Sequence, residues 1–279
     1  MSGYSINDLP HFNPWARRIM GLEEIAQKVK NESELEREYE REKWGVLLAK
    51  AKKANIEFTI ENLDRLYFNN DDQVLAYVEG EFVLTTIGDM HKRQIGLLEE
   101  VLKKYLPASA LVEIGAGYGS IILNLYRRLV SKPNKLCAFD FAPSAVEIMD
   151  RVAKHESLDL TTGICNFFDL KLDHSKIPKN AVVFTSWATS VLPKTPLSFF
   201  DEILRLKPKA VVHFEPFFEH CGDDLFGLLR KKYIMLNDYN SDFIHVIQKN
   251  RNIEVINESK PLWGANALCC ASILEWKPK

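Results

Sequence analysis

Residues 110–126 read ALVEIGAGYGSIILNLY, and the order of events in that stretch decides the fold. The apolar run from Ala110 to Ile114 has the length and composition of a buried strand. It breaks at Gly115-Ala116-Gly117-Tyr118-Gly119, and a helical pattern follows in which Ile121, Ile122, Leu125 and Leu129 share one face. Glycines suit a strand-to-helix turn where the backbone must bend tightly and a ligand must come close with no Cβ in the way. Twenty-five residues after Gly115, a second apolar run, KLCAFD at 135–140, ends in Asp140. A carboxylate at such a strand end can accept hydrogen bonds from both hydroxyls of an adenosine ribose.

Downstream the pattern repeats. Strands are predicted at 110–114, 135–140, 159–165, 181–186, 209–215, 252–257 and 266–275, with helical stretches between most of them. One helix is expected at 119–130 and another to open near Pro143. This alternation implies right-handed crossovers and a mainly parallel sheet covered on both faces. The last two strands are joined by a loop with Pro261 and Gly264, so they can pair antiparallel. Upstream, the chain reads as mainly helical. Asn31 with Glu34 forms a capping-box pattern opening a charged helix through Leu35, Tyr39, Trp44, Leu47 and Leu48. Thr59 is expected to cap a short helix, residues 74–86 to form a hairpin or an irregular loop around Glu79-Gly80, and Asp89 to cap a helix that Pro107 stops. The division drawn is an N-terminal helical cap at 1–88 and a sheet domain at 89–279.

The ligand class follows from the turn. A dinucleotide site usually spaces its glycines GxGxxG and lays a pyrophosphate on the helix N-terminus. Here the spacing is GxGxG, and Glu113 precedes it in the strand. Glu113 would repel a pyrophosphate but favour the ammonium and sulfonium of S-adenosyl-L-methionine. On these residues, 110–275 resembles a class I S-adenosylmethionine-dependent methyltransferase. The resemblance implies a Rossmann-like α/β fold with a seven-stranded mixed sheet in the order 3-2-1-4-5-7-6. It also implies that Gly115, Gly117 and Gly119 pass the methionine portion of the cofactor, that Asp140 binds ribose and that Phe141 lies against adenine. An acid is expected after the third strand to meet the adenine amino group. Asn166 stands at that place and Asp169 three residues later, so Asn166 with Phe167 is the preferred partner. Ser186-Trp187-Ala188 would line the floor between cofactor and acceptor. No motif secures a closing group, for which Thr86, Gly88 and Arg93 are candidates.

The acceptor side is read from placement. In open α/β sheets, ligands sit at the carboxyl ends of the strands. The fifth strand ends as His213-Phe214-Glu215-Pro216-Phe217-Phe218-Glu219-His220, and a later stretch carries Tyr233 and Asn237-Asp238-Tyr239-Asn240. Two acidic clusters among aromatics suit a small cationic acceptor, an amine or guanidinium, with carboxylates to hold it and accept a proton. Glu215, Glu219 and His220 are thus the expected catalytic residues, with Trp187, Phe217, Tyr233, Asp238 and Asn240 on the acceptor. Oxygen methylation with His220 as base is the alternative within the class. A nicotinamide-dependent oxidoreductase, or a binding-only relative, is the alternative outside it.

Composition narrows the rest. The 279 residues are 46% hydrophobic and 27% charged, which excludes a disordered chain. Thirty-six basic and 38 acidic residues give a net charge of −2, so no nucleic-acid partner is expected. No apolar run is long enough to span a membrane, and no membrane partner is expected. The first twenty residues lack the apolar core of a secretory signal. Five cysteines form no CxxC pair, and most fall in apolar runs. Buried thiols in a reducing compartment fit better than disulfides or zinc, so no metal and a cytoplasmic location are expected. The cap could equally serve a homodimer contact.

Overall fold

In the computed structural model, which describes residues 3–68, 72–196 and 198–279, the strand that ends in the glycine turn lies at the centre of the sheet. The strands are β1 (Gln73–Val78), β2 (Glu81–Thr86), β3 (Leu111–Ile114), β4 (Leu136–Asp140), β5 (Leu160–Ile164), β6 (Val182–Ser186), β7 (Ala210–Glu215), β8 (Ile253–Glu258), β9 (Trp263–Gly264) and β10 (Ser272–Pro278). Seven of them form one sheet in the order β5-β4-β3-β6-β7-β10-β8. Counted within this sheet, that is the expected 3-2-1-4-5-7-6. The first five strands run parallel, and β10 is antiparallel to both β7 and β8.

Every residue of β3, β4, β6 and β7 is buried, as a sheet covered on both faces requires. Alternate side chains feed two cores. Leu111, Val182 and Phe184 join Leu98, Ile122 and Met149 on one face. Val112, Val183 and Val211 join Phe199, Phe243 and Ile247 on the other.

Three local expectations shift. Thr86, not Asp89, caps the helix Ile87–Leu102, accepting a 3.1 Å hydrogen bond from the Asp89 amide. The last strand begins at Ser272 rather than 266, because the Asn266 side chain accepts from the Leu268 amide and its carbonyl from Cys269. That turn diverts the chain before it can pair. The residues ahead of it, β9, pair instead with β1 and make a second sheet, β2-β1-β9.

This small sheet ties the two ends of the chain together. Leu47, Ile60 and Leu63 share a core with Leu98 and Leu123, and Leu9, Ala16 and Ile19 pack with Tyr233, Ile234 and Leu268. The segment drawn as a separate cap at 1–88 is continuous with the rest, and its expected boundary falls inside the helix Ile87–Leu102.

Candidate active site

The carboxyl ends of β3, β4 and β6 open on a cavity of about 460 Å³, within the usual size range of a small-molecule site. Its floor begins at the glycine turn. The amides of Gly115 and Ala116 both donate to the Phe139 carbonyl, at 2.8 and 2.9 Å, tying the turn to the end of β4. Gly115 and Gly117 have φ of +79° and +55°, backbone that favours glycine. A Cβ on Gly115 would lie 2.3 Å from the Ala188 Cβ, and one on Gly117 2.8 Å from the Trp44 ring.

Asp140 lines the cavity beside this turn. One carboxylate oxygen accepts from the Gly117 amide at 2.7 Å, the other from Ala142 at 2.9 Å. Burial pushes its carboxyl up to about 6, against the opposing pull of those amides. Glu113 also lines the cavity; its carboxylate accepts from the Ile122 amide at 3.0 Å, and burial raises its pKa well above the usual range. Gly119 is not on the lining. With φ of +84° it turns the chain into the helix Ser120–Arg128. Phe141, Asn166, Phe167 and Ser186 all line the cavity. Asn166 is fastened above by a hydrogen bond to Glu32, and Ser186 accepts from the Gln94 amide group at 2.7 Å.

The expected catalytic trio stands elsewhere. Glu215 is wholly buried, and its carboxylate accepts from the amides of Ala188, Thr189 and Ser190 at 2.9, 3.1 and 3.2 Å. It shapes the loop that floors the cavity instead of facing into it. Glu219 accepts from the His245 amide at 3.1 Å, and His220 pairs with Glu258 at 2.6 Å; neither is on the lining. Placing them by strand-end position alone overlooked the helical turn Phe218–His220, which carries them away.

The acceptor-side residues divide. Trp187 and Tyr233 line the cavity, whereas Phe217, Asp238 and Asn240 do not. Phe217 packs on Phe243 with ring centroids 5.2 Å apart. Asp238 accepts from the Lys30 amide at 2.7 Å, and Asn240 donates to Thr195 at 3.0 Å. Trp187 has φ of +57°, a conformation rare for an aromatic residue, and is held by a 3.2 Å bond from its amide to the Phe214 carbonyl.

Apart from Tyr239 of the Asn237–Asn240 cluster, the remaining wall comes from residues to which the sequence reading gave no site role. Tyr39, Trp44, Tyr67 and Phe68 roof the cavity, and Met90 and His91 come from the helix Ile87–Leu102 in place of Thr86, Gly88 and Arg93. His91 contacts Ser120 at 2.8 Å, and Ser120 donates to Asp64 at 2.6 Å; burial lowers the pKa of His91. Tyr239, Trp263, Asn266 and Cys269 close the far side. The Tyr233 hydroxyl shares hydrogen bonds with Tyr239 and Asn266, and burial raises both phenols. The signal for the roof was present in the apolar spacing Leu35, Tyr39, Trp44, but it read as ordinary core packing. Glu113 and Asp140 are the acidic residues on the lining, and both stand on the side of the glycine turn. Among the described residues, no group of three or more His, Cys, Asp or Glu is arranged to hold a metal. No helix is long and apolar enough to cross a membrane among those residues.

The sequence matches no protein-family model and no curated protein. The fold does have solved counterparts. Magnesium protoporphyrin IX methyltransferase from Synechocystis PCC 6803, solved with bound S-adenosylhomocysteine, superposes with a TM-score of 0.50 at 14% identity, covering 69% of this chain and 85% of that one. Geranyl diphosphate C-methyltransferase from Streptomyces coelicolor A3(2), also with S-adenosyl-L-homocysteine, gives 0.47 at 13% identity over 67% of this chain and 82% of that one. A methyltransferase from Aquifex aeolicus gives 0.43 at 16% identity over 66% and 97%. With the strand order above, the first of these likenesses shows the class I methyltransferase fold.

Proposed function

We propose that the protein is a methyltransferase that uses S-adenosyl-L-methionine and acts on a small, largely apolar acceptor enclosed in the aromatic cavity. The observation that carries the reading is the joining of three features in one space. A glycine turn, a carboxylate at the adjacent strand end and a cavity of about 460 Å³ meet at the carboxyl edge of the sheet. A nicotinamide dinucleotide fits less well, because the turn spaces its glycines GxGxG where a dinucleotide site usually has GxGxxG.

S-adenosyl-L-methionine brings a sulfonium-activated methyl group, so little covalent chemistry is left to the chain. What the residues supply is binding, alignment and exclusion of water. Asp140 would hold the ribose, Phe141 and Phe167 would flank the adenine, and Asn166 would meet its edge. Glu113 and the glycine turn would receive the charged amino-acid end. The strained Trp187, with Ser186 and Ala188, would separate the two ligands. Tyr233 and Tyr239 offer hydroxyls to a polar atom of the acceptor.

The cationic acceptor read from Glu215, Glu219 and Asp238 loses its support, since all three carboxylates are engaged elsewhere. Aromatic walls with polar phenols instead favour a neutral ring-bearing molecule, its nucleophile an oxygen, a carbon or an uncharged nitrogen. Calorimetry with S-adenosylhomocysteine and with NAD tests the cofactor. Binding of NAD alone would refute the reading. Transfer of labelled methyl from S-adenosyl-L-methionine to a panel of phenols, indoles, amines and guanidines then tests the acceptor.

A further inference from the structure

The helix Ile87–Leu102 turns one face to the cavity. Ile87, Met90, His91 and Gln94, at i, i+3, i+4 and i+7, all line it. His91 is the titratable group of this face.

Its surroundings fix the place of its proton. The imidazole stacks on Phe68, with ring centroids 4.3 Å apart, and its Nε2 lies 2.8 Å from the Ser120 hydroxyl. That hydroxyl lies 2.6 Å from the Asp64 carboxylate, which also accepts from the Tyr118 hydroxyl at 2.7 Å and from the Asn124 side-chain amide at 2.8 Å. A hydroxyl has one hydrogen, and between Ser120 and a carboxylate the bridging hydrogen must be the hydroxyl's own. The contact between Ser120 and His91 is then bridged by a proton on Nε2. Burial lowers the pKa of His91, so at neutral pH the ring carries no second proton. Nδ1 is left with a bare lone pair.

That lone pair is open. The His91 side chain is only 9% exposed, yet the buried side-chain polar atoms that lack a partner among the described residues are Trp44 Nε1, Glu219 Oε2, His220 Nδ1, Trp263 Nε1 and Ser272 Oγ. His91 Nδ1 has no protein partner there either and is not one of these, so it touches open space. Phe68 covers the ring and Ser120 takes Nε2, and both stand on the cavity lining with His91. The space left to Nδ1 is the cavity.

A bare lone pair takes a hydrogen-bond donor. Ser120 directly follows Gly119, so the ring stands where the glycine turn enters its helix, on the side that receives the amino-acid end of the proposed cofactor. Of the two charged groups at that end, the carboxylate only accepts and the ammonium only donates. The Asp64 carboxylate, 3.9 Å from His91 Nε2, adds a field that favours a cation in front of the ring.

We infer that His91 is a cofactor-binding residue whose Nδ1 accepts a hydrogen bond from the ammonium at the amino-acid end, and that Ser120, fixed by Asp64, is the positioning residue that sets its tautomer. This rests on the cofactor proposed above. Two probes separate the parts. S-adenosylhomocysteine carries the ammonium; its deaminated analogue has hydrogen in that place and keeps the carboxylate. His91→Phe keeps a ring to stack on Phe68 and removes the lone pair. In calorimetry at pH 7.5 it should weaken S-adenosylhomocysteine about tenfold and leave the analogue within twofold, as expected for one hydrogen bond to a charged group. In long-range ¹H–¹⁵N spectra, the one of seven imidazoles missing from His91→Phe should show a bare Nδ1 in the free protein. That nitrogen should move upfield with S-adenosylhomocysteine and stay in place with the analogue. Ser120→Ala should release the tautomer, moving Nδ1 of the free protein toward the average of bare and protonated values, and weaken S-adenosylhomocysteine severalfold. Should His91→Phe not fold, the two wild-type affinities and the nitrogen signal moved by Ser120→Ala decide the matter.

Equal loss of both ligands in His91→Phe, equal wild-type affinities with an unmoved Nδ1, or a proton on Nδ1 in the free protein would overturn the inference while leaving the cofactor reading intact. Failure of the wild-type protein to bind S-adenosylhomocysteine would remove both.

Discussion

Replacing Glu215 by Gln separates a structural carboxylate from a catalytic one. The side chain is wholly buried and its two oxygens accept three backbone amides, two on Oε1 and one on Oε2. Gln keeps the shape. Its carbonyl oxygen can still accept from Ala188 and Thr189, but its NH₂ must then face the Ser190 amide, donor against donor. That leaves one buried N–H unpaired, at about 1–3 kcal/mol, and weakens the other two bonds by removing the charge. Burial pushes the Glu215 carboxyl above its usual range, so desolvation already offsets part of the ionic gain in the native protein. We therefore expect a loss of about 2 kcal/mol, which for a chain of this size lowers Tm by roughly 4–8 °C. Thermal unfolding followed by circular dichroism at pH 7 measures it. S-adenosylhomocysteine affinity should fall only severalfold, through disorder of residues 188–190 at the cavity floor. A variant with unchanged Tm and methyl transfer reduced a hundredfold would refute the reasoning, because Glu215 would then act on the reacting groups rather than on the loop.

Three more outcomes follow from the same geometry. The carboxyl of Asp140, near 6 when the site is empty, must be ionised to accept two ribose hydroxyls. Affinity for S-adenosylhomocysteine should therefore be flat above pH 7 and fall as the pH drops through 6, approaching tenfold per unit; Asp140→Asn should be weak throughout and lose that dependence in calorimetry between pH 5 and 7.5. His220→Asn breaks the contact with Glu258 and the ring packing on Phe217, both away from the cavity lining, so its affinity for S-adenosylhomocysteine should stay within twofold of wild type, and a larger loss would return His220 to the site. Leu63 is fully buried in the same core as Leu98 and Ile122; Leu63→Ala should cost about 3 kcal/mol and shift one cooperative calorimetric transition. Two transitions, with only the first moved, would restore an independent cap at 1–88.

The sheet was legible because its signals are local. A strand of Val, Leu and Ile buried on both faces reads as a continuous apolar run, and β3, β4, β6 and β7 fall within one residue of where such runs predict them. Gly115, Gly117 and Asp140 were legible for a related reason: the backbone approach they permit is written in the residue types themselves. The acceptor side was not. Glu215 ends its strand as expected, yet whether a carboxylate there faces a ligand or gathers three amides depends on how residues 188–190 return to it. Trp44 was visible as an apolar residue on a helix, but its direction depends on the π-helical winding of Glu36–Trp44, which no composition rule reveals. Trp263 and Asn266 fell in a stretch whose β-like residues were diverted by an Asn-centred turn.

The acceptor's charge is the point on which sequence and geometry part, and energetics choose between them. A cationic amine drawn into this cavity would leave water for aromatic walls, with Glu113 and Asp140 lying toward the cofactor side and already holding backbone amides. Desolvating an ion costs several kcal/mol even after relaxation. Cation–π contact with Trp187, Trp263 or the tyrosines returns about 0.5–2 kcal/mol. A neutral ring of the same size gains area burial at no such cost, roughly 25 cal/mol per Å². The balance predicts that a neutral aromatic alcohol competes for the acceptor space at least tenfold better than the matching arylalkylammonium. The measurement is displacement of a bound environment-sensitive dye from protein saturated with S-adenosylhomocysteine. Tighter binding of the ammonium compound would mean that a carboxylate turns into the cavity when the acceptor arrives, and the amine first read from Glu215, Glu219 and Asp238 would regain its footing.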